Sequence, residues 1–165
     1  MNIPVINIPV IIRKAAPDDM ERLLVFEQCI VKAEQDYDST LKREKTNYYD
    51  LREMMGSDAS RLVVAEHGRQ VIGTGHGRIE ASDLFLKHRE HALLGFMYIV
   101  PEYRGQGVIK MIIEALVDWA GSKNINEFRL EVYEQNKAAI RAYEKMRFSR
   151  HIVEMRMSVP AGTAR

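Results

Sequence analysis

One cysteine, Cys29, and one tryptophan, Trp119, stand among 165 residues. A lone cysteine closes no intrachain disulfide, so the fold has to rest on a buried core, and nothing points to an oxidising compartment. No flanking motif marks Cys29 as a nucleophile; it reads as a small apolar core residue. Charge of one sign is missing too: 24 Lys and Arg against 23 Asp and Glu leave +1. No basic field exists to attract nucleic acid without specificity, and no acidic tail is present. No apolar run approaches the ~20 residues of a membrane-crossing helix. The first residues lack a basic leading region and are interrupted by Pro4 and Pro9, unlike a secretion signal. These absences set the expectation of a cytoplasmic chain without membrane or nucleic-acid partners. What is present is globular: 46% hydrophobic and 28% charged residues, in a chain one domain long.

Residues 1–9 read as an N-terminal extension, 10–159 as one domain without an internal linker, and 160–165 as a tail. The doubled Asn-Ile-Pro-Val near the start is too short to be an architectural repeat. Residues 10–14 read as a first strand. Pro17, Asp18 and Asp19 then give a helix start, with the acids at the positive end of the dipole. Met20, Leu23, Leu24, Ile30 and Val31 recur at helical spacing, and a second helix is expected over residues 40–55, ended by Gly56. Two strands, 62–66 and 71–79, are joined by a polar turn. Gly73, Gly75 and Gly77 alternate in the second, so one of its faces is bare, which marks a bulge or a close packing partner. Residues 92–100 form the most apolar strand. A helix follows with Val108, Ile112, Ala115, Leu116 and Trp119 on one stripe. Alternation of Phe128, Leu130 and Val132 with Arg129, Glu131 and Tyr133 gives a half-buried strand. Asn136 begins a helix running to Met146, and residues 151–159 read as a closing strand. The fold class is α/β, a mixed central β-sheet flanked by about four helices.

The chemistry-bearing segment is Ile99-Val100-Pro101-Glu102-Tyr103-Arg104-Gly105-Gln106-Gly107-Val108-Ile109-Lys110. It joins a buried strand to a helix through a glycine-bearing loop. Unpaired amides at such a helix start, together with the helix dipole, favour a phosphate-bearing ligand, and glycine lets the backbone come close to it. A Walker loop would need Gly-Lys followed by Ser or Thr, and a dinucleotide fingerprint would need glycine where Lys110 stands. A loop that merely turns the chain is the remaining structural reading.

Arg104-Gly105-Gln106-Gly107-Val108-Ile109 resembles the pyrophosphate-binding signature Gln/Arg-x-x-Gly-x-Gly/Ala of the GNAT superfamily of N-acetyltransferases. Residues 136–148 resemble its second signature: Asn136, the Ala139-Ile140 pair, Tyr143 and a closing Phe148. The layout is similar to the ribosomal-protein and N-terminal amino-acid acetyltransferase branch. The resemblance spans about residues 92–148 and implies a single-domain GNAT fold. Ile109 stands where the signature has Gly or Ala, and Arg147 replaces the usual glycine after the last helix. An Ile109 side chain turned into the core would leave the pyrophosphate its room.

The resemblance implies acetyl-CoA as co-substrate and no metal. Backbone groups of Met97, Tyr98 and Ile99 would pair with its pantetheine arm. Arg104, Gly105, Gln106, Gly107, Val108, Ile109 and Lys110 would hold the pyrophosphate, and Asn136 and Tyr143 would touch the cofactor arm. Asn136 also stands where a helix N-cap belongs. Tyr143 is the candidate acid, since a phenol can protonate a departing thiolate; a packed tyrosine on the stripe of Ala139, Ile140 and Met146 would look the same. Strand 92–100 holds no carboxylate, so Glu131 is the candidate base, acting through a water, with a solvated glutamate as the structural alternative. Glu34, Asp36 and Asp38 lie where the family's acceptor enters and would suit a cationic amine or a basic peptide terminus; a solvated loop is the bland reading. His88 and His91 lack further ligands at a defined spacing. The expected activity is direct acetyl transfer to a primary amine of a small molecule or a peptide or protein N-terminus. The rival is a catalytically silent, CoA-binding sensor or interaction domain of the same fold. Frequent homodimers in the family make a second copy of the chain a candidate partner.

Overall fold

The computed structural model describes residues 9–159. In chain order the strands are β1 (Ile11–Lys14), β2 (Ser60–His67), β3 (Gln70–Ala81), β4 (Glu90–Ile99) and β5 (Phe128–Leu130). The helices are α1 (Met20–Glu34), α2 (Leu51–Gly56), α3 (Val108–Gly121) and α4 (Lys137–Lys145). Sheet order follows chain order; the first three pairings are antiparallel and β4–β5 is parallel, so the sheet is mixed as expected. The domain boundaries at 1–9 and 160–165 fall almost wholly outside the described residues. No described helix is long and apolar enough to cross a membrane.

The bare face of β3 is a seat for α3. A Cβ on Gly75 would lie 2.3 Å from Ile112 Cγ2 and 2.9 Å from Met97 Sδ, and one on Gly77 would meet Trp119 and Leu116. Absence of side chains lets α3 press its apolar stripe directly onto the strand, burying Val108, Ile112, Leu116 and Trp119. On the opposite face α1 buries Leu23, Phe26 and Ile30, with Phe26 stacked on Tyr98 at 4.8 Å. At the head of α1, Asp19 receives two hydrogen bonds from the Arg13 guanidinium, at 2.7 and 2.8 Å, and one from the Ala16 amide at 2.8 Å. The Arg13 guanidinium, the largest influence, holds the Asp19 carboxyl below the usual carboxylate range.

Four expectations are corrected. The second helix does not run over 40–55; only Leu51–Gly56 is helical, capped by Asp50, whose side chain accepts from the Arg52 and Glu53 amides. Side chains of α1 and of Gln35 just past its end take the main-chain groups that the missing turns would have used. Glu27 Oε1 accepts from the amides of Tyr48 at 2.6 Å and Tyr49 at 2.9 Å, and Gln28 and Gln35 donate to the carbonyls of Thr46 and Lys42. The strand expected through Tyr133 stops at Leu130. Residues 151–159 form no closing strand. Just before them Arg150 pairs with Glu144, and among them Arg156 pairs with Asp38, while Ile152, Val153, Met155 and Met157 lie exposed. Cys29 is half-exposed rather than buried.

Candidate active site

Parallel pairing between β4 and β5 stops early. Ala92, Leu93 and Leu94 face Phe128, Arg129 and Leu130, and beyond Leu94 the two strands part. Residues 95–98 therefore keep a free backbone edge among the described residues, where N–H and C=O groups await an extended partner. The parting begins at a bulge: Thr74 faces Tyr98 and His76 faces Gly95, so Gly75 alone opposes Phe96 and Met97. Phe96 takes φ 50°, a left-handed conformation that a bulky side chain adopts only under constraint. Its ring is pinned by Tyr49, 4.8 Å away.

The free edge leads straight into the glycine loop. Gly105 (φ 75°) and Gly107 (φ 82°) both take left-handed conformations, and Gly107 is the N-cap of α3. A Cβ built on either, or on Gly95, would meet nothing within 4 Å, so an open cradle lies over the loop. The first amides of α3 have no partner within the helix, and the dipole's positive end adds to their attraction for an anion. Ile109 is half-buried and packed on the core, which leaves this cradle clear. Lys110 is exposed and pairs with Glu114. Arg104 is tied back: its Nε donates to the Ile99 carbonyl at 3.0 Å, and its guanidinium lies over the Tyr98 ring at 5.7 Å. Gln106 donates to the Glu102 carbonyl at 2.8 Å. An extended arm ending in a pyrophosphate fits this donor set, so the residues present suit CoA.

Asn136 is the N-cap of α4, its side chain accepting from the Ala139 amide at 3.2 Å. Arg147 takes φ 71° just past the helix, and the Phe148 amide closes back on the Tyr143 carbonyl at 3.1 Å. A side chain in this left-handed position costs on the order of 1 kcal/mol relative to glycine. The closure sets the Phe148 ring edge-on to Tyr143, with centroids 6.1 Å apart. Burial pushes the Tyr143 phenol above its ordinary value. Glu131 lies just beyond β5, exposed and without a hydrogen bond or ion pair among the described residues. Met97, Tyr98 and Ile99 thus meet Arg104 and the glycine loop in one continuous surface, whereas no hydrogen bond joins Glu131 to Tyr143 among the described residues. His91 Nδ1 lies 2.8 Å from Ser82 Oγ, and His88 Nε2 lies 3.2 Å from an Arg129 nitrogen.

One residue absent from the sequence reading braces the Tyr48–Tyr49 side of this opening. Glu27 is 0% exposed; besides receiving the Tyr48 and Tyr49 amides, it keeps Oε2 without a partner. The signal was an acid on the buried stripe of α1, four residues after Leu23 and three before Ile30.

Comparison with known proteins adds to this geometry. The Acetyltransferase (GNAT) family profile matches residues 26–148. An uncharacterized N-acetyltransferase of Archaeoglobus fulgidus is 24% identical over 132 residues, covering 80% of this chain and 88% of that protein. The thialysine N-epsilon-acetyltransferase of Mus musculus is 40% identical over 48 residues, 29% of this chain and 28% of the relative. The matched stretch thus spans little more than a quarter of that curated relative. Among solved structures, a predicted acetyltransferase of Clostridium acetobutylicum with acetyl-CoA superposes with a TM-score of 0.69 at 18% identity, covering 91% of this chain and 96% of that one. The aminoglycoside N-acetyltransferase AAC(6')-Iy in complex with CoA gives 0.74 at 17% identity, covering 93% and 96%. At such identities the likeness is one of fold, and with the family match over most of the sequence it leads to one conclusion: the chain belongs to the GNAT acetyltransferase family.

Proposed function

We propose that this chain carries acetyl from acetyl-CoA directly to a primary amine, of a small molecule or of a peptide or protein N-terminus, without a covalent enzyme intermediate. The observation that carries the reading is the opening where β4 leaves β5, with its free strand edge running into a glycine cradle at the start of α3. Acetyl-CoA, when bound, supplies an activated thioester carbonyl and a thiolate leaving group. The backbone of Met97, Tyr98 and Ile99 holds the pantetheine arm as an added strand, and the amides from Gly105 to Lys110 hold the pyrophosphate. Tyr143 keeps its phenolic proton at neutral pH, because burial raises its pKa, and Oη is the donor toward the sulfur. Glu131, exposed beside the end of β5, accepts the amine's proton through a water.

Thermal unfolding with and without acetyl-CoA tests the reading. At a hundredfold excess over Kd, linkage gives about 2.7 kcal/mol, and at 2–4 °C per kcal/mol the midpoint rises by roughly 5–10 °C. Tyr143→Phe keeps that rise while kcat on an amine and peptide panel falls about 10²- to 10⁴-fold. No rise at millimolar acetyl-CoA, or full turnover by the variant, rejects the corresponding assignment.

A further inference from the structure

Beside the opening, the connection between α1 and α2 and the loop after β5 meet in an aromatic cleft with two carboxylates. Glu34, the last residue of α1, is half-buried, and its carboxylate has no hydrogen bond or ion pair among the described residues. Burial pushes its carboxyl above the usual range. The amides of Tyr37 and Asp38 donate to the Glu34 carbonyl at 2.9 and 3.0 Å, which sets these three residues on one turn, and the phenols of Tyr48, Tyr49 and Tyr133 are raised first by burial and next by the Glu34 charge. Tyr133 packs on Tyr37 with ring centroids 5.8 Å apart. The Tyr48 hydroxyl is buried without a partner, and behind it the wholly buried Glu27 keeps its own unpartnered oxygen. Asp38 completes the acidic side.

A cation already sits there. Arg156 Nη1 donates to both Asp38 carboxylate oxygens at 3.0 Å and to Thr40 Oγ1 at 3.0 Å. It arrives from residues 151–159, which make no main-chain hydrogen bond among the described residues and leave their large apolar side chains exposed. A guanidinium carried on so loosely held a segment is an occupant that can leave. Arg156 pairs with Asp38, which leaves the Glu34 carboxylate without an ion pair among the described residues, and tyrosine faces are themselves attractive to cations.

We propose that this cleft is a subsite for a second cationic group, ammonium or guanidinium, on a dibasic acceptor, and that Arg156 is its internal competitor. Glu34, Asp38 and the rings of Tyr37, Tyr48 and Tyr133 hold the distant charge while the neutral primary amine lies at the β4–β5 opening. The two places adjoin, because Tyr49, next to Tyr48, stacks on Phe96 at the bulge. This assignment of substrate class rests on the proposed acetyl transfer.

The test is calorimetric titration of the full chain, saturated with CoA, with 1-amino-4-guanidinobutane and with butylamine. The guanidino amine is expected to bind wild type at least about tenfold more tightly than butylamine. Arg156→Ala should tighten the guanidino amine by roughly threefold or more, while Arg156→Lys, which keeps a cation, stays within about twofold of wild type. Glu34→Gln combined with Asp38→Asn should abolish the preference, with the thermal midpoint checking that this variant is folded. Equal affinities for the two amines in wild type and Arg156→Ala overturn the proposal. So does weaker binding by Arg156→Ala, or no binding of either amine at about 10 mM. A chain that binds acetyl-CoA without preferring the guanidino amine loses the subsite alone. One that prefers it without binding acetyl-CoA loses the acetyl-transfer reading instead.

Discussion

Lowering the pH from 7 to 5 removes a definable part of the stability through a single buried histidine. His76 on β3 is 7% exposed, on the face opposite the glycine stripe. Ser60 Oγ donates to the Met54 carbonyl at 3.0 Å, so its lone pair is left to accept from His76 Nε2, 2.6 Å away. The imidazole is held neutral: burial first, and the Arg78 charge second, pull its pKa from 6.5 to about 4. Between those values the unfolded chain binds a proton that the folded chain refuses, so stability is full above pH 6.5 and falls as pH drops toward 4. Integrating over that window gives a loss of about 2 kcal/mol at pH 5 and about 3 kcal/mol at pH 4. His91, also lowered chiefly by burial, shifts stability in the same direction, so the effect is isolated by difference. Urea unfolding of wild type and His76→Gln at pH 7, 6 and 5 is the assay. Gln offers Ser60 a donor but does not titrate, so the variant should lose about 2 kcal/mol less than wild type over this range. Parallel pH profiles for the two proteins would refute the assignment.

The other two perturbations bear on packing and on the acceptor wall. Gly75→Ala places a methyl 2.3 Å from Ile112 Cγ2, an overpacking worth about 1–3 kcal/mol and a fall in Tm of roughly 3–10 °C. Gly56→Ala, with nothing within 4 Å, is the neutral control, and an unchanged Tm for Gly75→Ala would show that α3 yields. Glu27→Ala strands the Tyr48 and Tyr49 amides and should cost about 2–4 kcal/mol in urea unfolding. Glu27→Gln retains the accepting oxygen and should cost less than half as much; equal losses would mean that the charge, not the hydrogen bonds, matters there.

Where local chemistry decides the conformation, reading it from sequence succeeds. Gly105 and Gly107 before an apolar stripe gave the start of α3, Asn136 gave the α4 cap, and the spacing of Gly73, Gly75 and Gly77 gave a close-packed partner, which is α3. The failures are long-range. Residues 40–50 carry enough helix formers to suggest a helix, but Glu27 and Gln28 on α1 and Gln35 at its end capture the backbone of that stretch, and nothing local announces it. Residues 151–159 alternate as a strand does, yet a strand needs an edge to pair with, and β5 is three residues long. The acids at 34, 36 and 38 were visible in the sequence only as a local cluster. Their tyrosine companions come from separate stretches, 37, 48 and 133, which only the fold brings together.

The free edge of β4 and the Tyr48–Tyr49 wall beside it are mechanically one unit. Phe96 in the left-handed region costs on the order of 1–2 kcal/mol, and such strain persists only where neighbours over-determine it. Here the constraint comes from outside the sheet: Tyr49 lies against the Phe96 ring, and Tyr49 is fixed through its amide to the buried Glu27. Glu27 is in turn held on α1, whose Phe26 stacks on Tyr98, two residues beyond Phe96 on the same free edge. The bulge that starts the β4–β5 separation is therefore clamped at two points by the helix that also carries Glu34. A ligand that moves Tyr48 and Tyr49 shifts the residues that hold the bulge, and so reaches the strand edge proposed for acetyl-CoA. Coupling between the two proposed sites then needs no domain motion, because the Tyr48–Tyr49 wall and the free edge of β4 meet directly at the Tyr49 and Phe96 rings.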